Sequence, residues 1–277
     1  MELYCVQLAA DGHGPAAGRN LLYGWLFFKS ENYEKDLLEL SNMKRTINGW
    51  SKEVMEEERD PAPLEVLWWM GVWFLANGMT SIALCLVLQL DGYMRPSEAI
   101  ELTEDQIIKP APLAGLRYAL NYSAHLSPQT RGKRSKAGQV DDSFVFGTKG
   151  RMWVVDIVKK LARRVRKGAR LFPDLNLISY ERAFQKASRA LKLEMLGVTP
   201  HVVRHTGPSN DRLFNLRPLS EVQKRGRWGH IKSCTRYEKR TKIMRQLGLM
   251  TKQQQVSMKN AAAQFPQMLL DKLAKYG

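Results

Sequence analysis

A few short stretches of the 277-residue chain carry side chains able to do chemistry. Arg95 precedes Pro96, and a residue before proline avoids the right-handed helical region. Arg95 is therefore expected at a helix entrance, with Pro96 in the first turn and Glu98 near the N-terminus. Alone, it reads equally well as a surface ion pair with Glu98. Lys136 lies in a basic turn beside Lys133 and Arg134, where solubility explains it as well as function. His201 and Arg204 follow Pro200 and open a helix. Three residues apart, they share one helix face, so an imidazole and a guanidinium can converge on one ligand. A structural His–Arg pair is the plainer alternative. Tyr237 lies among Arg236, Lys239 and Arg240, a setting that usually means surface or packing.

The charge is uneven. The chain holds 43 Lys plus Arg against 27 Asp plus Glu, a net +16. Residues 1–60 carry net −4, residues 61–130 net −3, and residues 131–277 net +23. A basic excess of that size is the footprint expected for a polyanionic partner, with plain solvation as the alternative. Apolar residues make up 44% of the chain, which excludes wholesale disorder. Cys5, Cys85 and Cys234 lie far apart and form no C-x-x-C pair. That excludes a disulfide scaffold or zinc ribbon and fits a reducing compartment. The N-terminus has no basic segment before an apolar run, so no signal peptide is expected.

These residues need elements to hold them. Residues 1–60 read as acidic and partly amphipathic, helical over 31–58, with 58–63 as a linker. The apolar stretch 64–90 is interrupted by Asn77-Gly78, a turn signal. It predicts two core helices, 62–76 and 80–90, rather than a membrane span. The pieces 116–120 and 143–147 predict a small antiparallel hairpin or three-stranded sheet. Residues 152–168 repeat Val154, Val158, Leu161 and Val165 at helical spacing and end at Gly168. A further helix is expected at 179–194. Pro208 is expected to start a helix rather than sit inside one. The coarse class is mainly α with a small β element (α+β).

Taken in order, Arg95, Lys136, His201-x-x-Arg204, Trp228/His230 and Tyr237 form a set that resembles the tyrosine recombinase (phage integrase) family. GYMRPSEAIELTEDQI resembles the first-arginine motif, and SKAG the lysine on the β-hairpin. PHVVRHT resembles the His-x-x-Arg-His box, and QKRGRWGHIKSCTRYEK the closing segment with its tyrosine. The resemblance covers residues 61–240. The wording RPSE and KRGRW is closer to eukaryotic mobile-element members than to bacterial chromosome-dimer resolvases. Trp228 lies nine residues before Tyr237, the family's spacing, so it is assigned to the site with His230 as the alternate.

The resemblance implies a catalytic domain over 61–277, including the tail helix, and a truncated or divergent N-terminal helical, DNA-clamping segment over 1–60. It implies site-specific breakage and rejoining of double-stranded DNA. Tyr237 would form a 3′-phosphotyrosyl intermediate and free a 5′-hydroxyl. Arg95 and Arg204 would hold the phosphoryl oxygens, Lys136 would be the general acid, His201 would assist, and Trp228 would buttress the pocket. Such chemistry rests on positioning and electrostatic stabilisation. It implies no metal, other cofactor or ATP. Lys133, Arg134, Lys159, Arg163, Arg225, Arg227 and Arg236 are the expected DNA contacts. The expected partners are DNA and, on two synapsed duplexes, a homotetramer. No membrane is expected, and the location is intracellular with DNA, in the nucleus or nucleoid. The tail, 262–277, reads either as a packing helix or as a segment docking on a neighbouring protomer. Alternatives are a type IB topoisomerase-like relaxer and a domesticated, non-catalytic DNA-binding protein of the same fold. RNA binding is disfavoured because no aromatic-basic RNP-type motif is present.

Overall fold

The computed structural model describes residues 2–28, 37–54, 60–108, 125–126, 144–235, 237 and 240–275. The chain divides into two compact units, Met1–Arg59 and Asp60–Gly277. The first unit holds α1 (Glu2–Ala10), α2 (Pro15–Phe28) and α3 (Leu37–Glu53). Cys5, Leu22, Met43 and Ile47 form its small core, with Leu21, Trp25 and Leu26 against it. Thr46 donates to Glu2 Oε1 at 2.9 Å and ties α3 back to α1. The helix expected at 31–58 is described over Leu37–Glu53, and residues 31–36 and 55–58 lie outside the described residues.

The second unit runs α4 (Leu64–Ala76), α5 (Thr80–Asp91), α6 (Pro96–Ile100), β1 (Ile107–Ile108), β2 (His125–Leu126), β3 (Phe144–Val145) and α7 (Trp153–Arg164). It continues with α8 (Leu177–Ala190), α9 (Pro200–Leu213), α10 (Leu219–Gly226), α11 (Lys232–Thr235), α12 (Arg240–Gly248) and α13 (Lys252–Lys275). It is mainly helical. The strands form one antiparallel sheet in the order β1-β2-β3, with Ile107 opposite Leu126 and Leu126 opposite Phe144. The piece 116–120 lies outside the described residues.

The apolar helices α4 and α5 form the centre, joined by the Asn77-Gly78 turn. Every residue of α5 from Ile82 to Asp91 is buried, as its near-unbroken apolar sequence requires. Among the described residues no helix is long and apolar enough to cross a membrane. The tail supplies a packing helix. α13 lays Met258, Ala261, Phe265, Leu269 and Leu273 against this core, and the 3- and 4-residue spacing places them on one face. Phe265 stacks on Trp68 with ring centroids 5.1 Å apart, and Trp153 closes edge-on at 6.0 Å. Gly71 permits this approach, because a Cβ there would come 2.4 Å from the Phe265 ring.

Three expectations are corrected. α7 ends at Arg164, not Gly168, because Val165 turns extended. The chain must leave the helix there for Leu171 N–H to reach Leu102 C=O at 2.7 Å and for Ala169 C=O to accept from Glu104 N–H at 2.9 Å. α8 begins two residues early, at Leu177, where Asn176 and Ser179 cap each other reciprocally at 2.8 and 3.1 Å. Pro208 sits inside α9 rather than at its start. Pro200 already provides the first turn, and Val202, Val203 and Thr206 bury the same helix, so packing overrides the proline. Thr206 Oγ1 also accepts from Ala62 N–H at 3.0 Å, fixing α9 to the entrance of α4.

Phe265→Ala removes the ring held between two tryptophans. It should lower the unfolding free energy by about 3–5 kcal/mol, read by urea denaturation. A loss below about 1 kcal/mol would show that α13 is not part of this core.

Candidate active site

Arg95 stands where the sequence places it, in extended backbone (φ −66°, ψ 153°) at the entrance of α6, with Pro96 in the first turn. Its backbone N–H donates to Glu98 Oε2 and its guanidinium to Oε1, both at 2.7 Å. The same carboxylate receives Arg204 at 3.6 Å and an N–H from Arg227. Three guanidiniums from three segments thus surround one carboxylate. Burial raises the Glu98 pKa, but Arg227, the Arg95 N–H, Arg204 and the Arg95 side chain together bring it below the ordinary carboxylate value. The arrangement is a cluster of guanidiniums closed on an internal carboxylate.

Arg204 is buried on α9. It donates to Tyr93 C=O at 2.6 Å and to Gly226 C=O at 3.0 Å. Burial draws its pKa down to about 10, with Arg95 and Arg227 adding to the fall and Glu98 opposing it. It still carries its charge at neutral pH. Its guanidinium lies 5.3 Å from the Trp228 ring centroid. Trp228 in turn lies against Tyr237, centroid to centroid 4.5 Å, and His205 packs on the same tyrosine at 5.6 Å. Tyr237 is 3% exposed, with its N–H on Cys234 C=O at 2.9 Å. His201 sits half-buried in the first turn of α9, and His230 is exposed.

The structure therefore brings Arg95, Arg204, Trp228 and Tyr237 together. Lys133, Arg134, Lys136 and Arg236 lie outside the described residues. Lys159 is half-buried and Arg163 exposed on α7. One expected DNA contact is corrected. Arg225 is 3% exposed, so its guanidinium faces the interior rather than DNA. It donates to Asp91 C=O at 2.8 Å and lies 4.8 Å from the Phe144 ring. Arg227 pairs with Glu98 alongside Arg95 and Arg204.

Sequence reasoning missed the support beneath these guanidiniums. Asp91 and Asp211 are both fully buried. Arg151 binds Asp211 at 2.8 Å and approaches Asp91 at 3.5 Å. Arg217 pairs with Asp211 and donates to Gly147 C=O at 2.7 Å. Gly147 N–H donates to Asp91 Oδ2 at 2.8 Å, and Tyr93 Oη–H to Asp211 at 2.5 Å. Burial raises the Asp211 pKa, but Arg151 and Arg217 outweigh it and hold the carboxyl below its ordinary value. No local pattern announces such pairs, because the partners lie up to 134 residues apart. His205 was visible in the His box but had no assigned part. Among the described residues no group of three His, Cys, Asp or Glu could hold a metal ion. No protein-family model, curated protein or solved structure matches the chain.

Because the native Asp211 pKa is lowered, its stabilisation is complete above the unfolded value of about 3.9 and is lost as pH falls toward the native value. Asp211→Asn should cost about 3–5 kcal/mol at pH 7, because two buried arginines lose their nearest counter-charge. It should also flatten the acid limb of a urea-denaturation pH profile between pH 5 and 2. An unchanged limb would contradict the assignment.

Proposed function

We propose that this chain is a DNA strand-breaking and rejoining transesterase of the tyrosine recombinase type. The supporting observation is the convergence of the residues named by resemblance. Tyr237 and Trp228 from the closing segment meet Arg204 of the His box, and Arg204 meets Arg95 around one carboxylate. A guanidinium cluster beside a phenol is the arrangement that in-line attack on a phosphodiester needs. The basic excess of residues 131–277 supports a polyanionic substrate.

In this reading a DNA phosphate displaces Glu98 from the guanidiniums. Arg95 and Arg204 bind its two non-bridging oxygens, and their forked, permanently charged donors neutralise the charge that builds there. The Tyr237 phenolic oxygen attacks phosphorus and loses its proton, with His201 assisting. The bond from phosphorus to the 5′-oxygen breaks, and that oxygen leaves as a hydroxyl with a proton from Lys136. A 3′-phosphotyrosine remains and keeps the bond energy, so reversal with a second 5′-hydroxyl rejoins DNA without ATP. Tyr237 is buried in the free chain, so DNA binding has to uncover it. Synapsis of two duplexes by a tetramer extends the same proposal, as does a location with cellular DNA.

Incubation with supercoiled and nicked DNA, quenched in SDS, should trap a protein–DNA complex. Tyr237→Phe should abolish that complex while leaving DNA affinity within about twofold. Arg204→Ala should slow its formation by at least about a hundredfold, because developing phosphoryl charge loses a donor. A complex that persists in Tyr237→Phe would overturn the mechanism. Relaxation of supercoils with no joining of two sites would instead identify a topoisomerase IB-like enzyme.

A further inference from the structure

Tyr93, the second residue of the stretch GYMRPSEAIELTEDQI, contacts both Arg204 and Trp228 of the site. It follows the end of α5 as the left-handed residue of a helix-terminating turn. Tyr93 N–H bonds Leu90 C=O at 3.3 Å and Met94 N–H bonds Gln89 C=O at 3.0 Å, the paired bonds of a Schellman motif. The left-handed position of that motif is usually glycine, and Gly92 stands next to it. Here Gly92 keeps right-handed backbone (φ −86°), and Tyr93 takes φ +50°. A bulky side chain held in this region is strained, and such strain persists where the surroundings over-determine it.

The surroundings do so through three separate contacts. In this conformation the Tyr93 carbonyl accepts from Arg204 Nη1 at 2.6 Å. The ring lies parallel to Trp228, centroids 6.4 Å apart and planes 26° apart, and Trp228 carries Tyr237 on its ring. The hydroxyl donates to Asp211 at 2.5 Å. Behind the ring the backbone of α9 is close: a Cβ on Gly207 would come 2.7 Å from Tyr93 Cδ1. A glycine at position 93 would offer the carbonyl without strain, but neither the ring nor the anchor.

We infer that Tyr93 is a positioning residue that sets Arg204 through its carbonyl and the Trp228–Tyr237 pair through its ring, with its hydroxyl locked on Asp211. The inference rests on the reading of Tyr237 as the nucleophile for its catalytic consequence, but not for its structural one. It separates two jobs within one buried cluster. Asp211, Arg151 and Arg217 carry the fold, whereas Tyr93 transmits their rigidity to the reacting side chains.

The test uses the full chain and two variants, Tyr93→Phe and Tyr93→Gly. The first readout is nitration of tyrosines by tetranitromethane, mapped by mass spectrometry, and it needs no activity. Tyr180, fully buried in the helical core, is the internal control. Tyr93→Phe should raise Tyr237 nitration at least fivefold and Tyr93→Gly should raise it further, with Tyr180 still protected. Equal nitration of Tyr237 in all three proteins overturns the inference. So does a parallel rise at Tyr180, which would mark general loosening. The second readout is the SDS-trapped complex on supercoiled plasmid. Tyr93→Phe should slow its formation at least tenfold with plasmid affinity unchanged. An undiminished rate overturns the catalytic part. If the unsubstituted protein traps no complex, the proposed function fails, and the nitration result still decides the role of Tyr93.

Discussion

The second unit depends on two carboxylates that have no access to water. Asp91 closes α5 and Asp211 lies near the end of α9. Desolvating either ion costs several kcal/mol, so each needs buried counter-charges. Arg151, Arg217 and Arg225 provide it from the entrance of α7, the loop before α10, and α10 itself. The backbone of the segment after β3 joins in, with Gly147 donating to Asp91 and accepting from Arg217. One ionic cluster thus fixes how six segments meet. Removing either carboxylate leaves buried guanidiniums without their nearest counter-charge.

The site is built on top of that cluster rather than beside it. Arg204 lies on the same helix as Asp211, and its two hydrogen bonds go to carbonyls whose positions the cluster sets. Arg225, adjacent to Gly226, is held by Asp91, so the turn presenting Arg227 and Trp228 inherits its placement. Arg227 adopts left-handed backbone (φ +56°) at that turn, which aims its guanidinium at Glu98. Rigid support matters for any chemistry that works by aligning charges, because a displacement of about 1 Å can cost a hundredfold. The carboxylate of Glu98 keeps the three guanidiniums together in the free chain.

Much of the architecture was legible because it follows from local pattern. The unbroken apolar run and its Asn77-Gly78 interruption foretold α4 and α5. The 3–4 spacing of Val154, Val158 and Leu161 foretold the buried face of α7. Residue types and order also singled out Arg95, Arg204, Trp228 and Tyr237, which the fold brings close to one another. What escaped was long-range. The early end of α7 is imposed by backbone pairing with residues 102–104, which no window around Gly168 contains. The left-handed turn after α5 falls on Tyr93 rather than on the adjacent Gly92, and its partners lie on α9 and at Trp228. Charge counting misread Arg225, since a buried arginine paired to Asp91 and a solvent-facing one have the same signature in sequence. The basic excess therefore overstates the surface charge: Arg151, Arg204, Arg217 and Arg225 all face inward.

The central claim is that the phenol beside the arginine cluster takes up a DNA phosphate. The most direct measurement is mass spectrometry of the protein after reaction with nicked DNA, an SDS quench, and digestion with nuclease and protease. The account predicts a nucleotide joined through its 3′-phosphate to the peptide containing Tyr237. A nucleotide on another residue, a 5′-linked nucleotide, or an unmodified Tyr237 peptide from protein that had bound the DNA would contradict it.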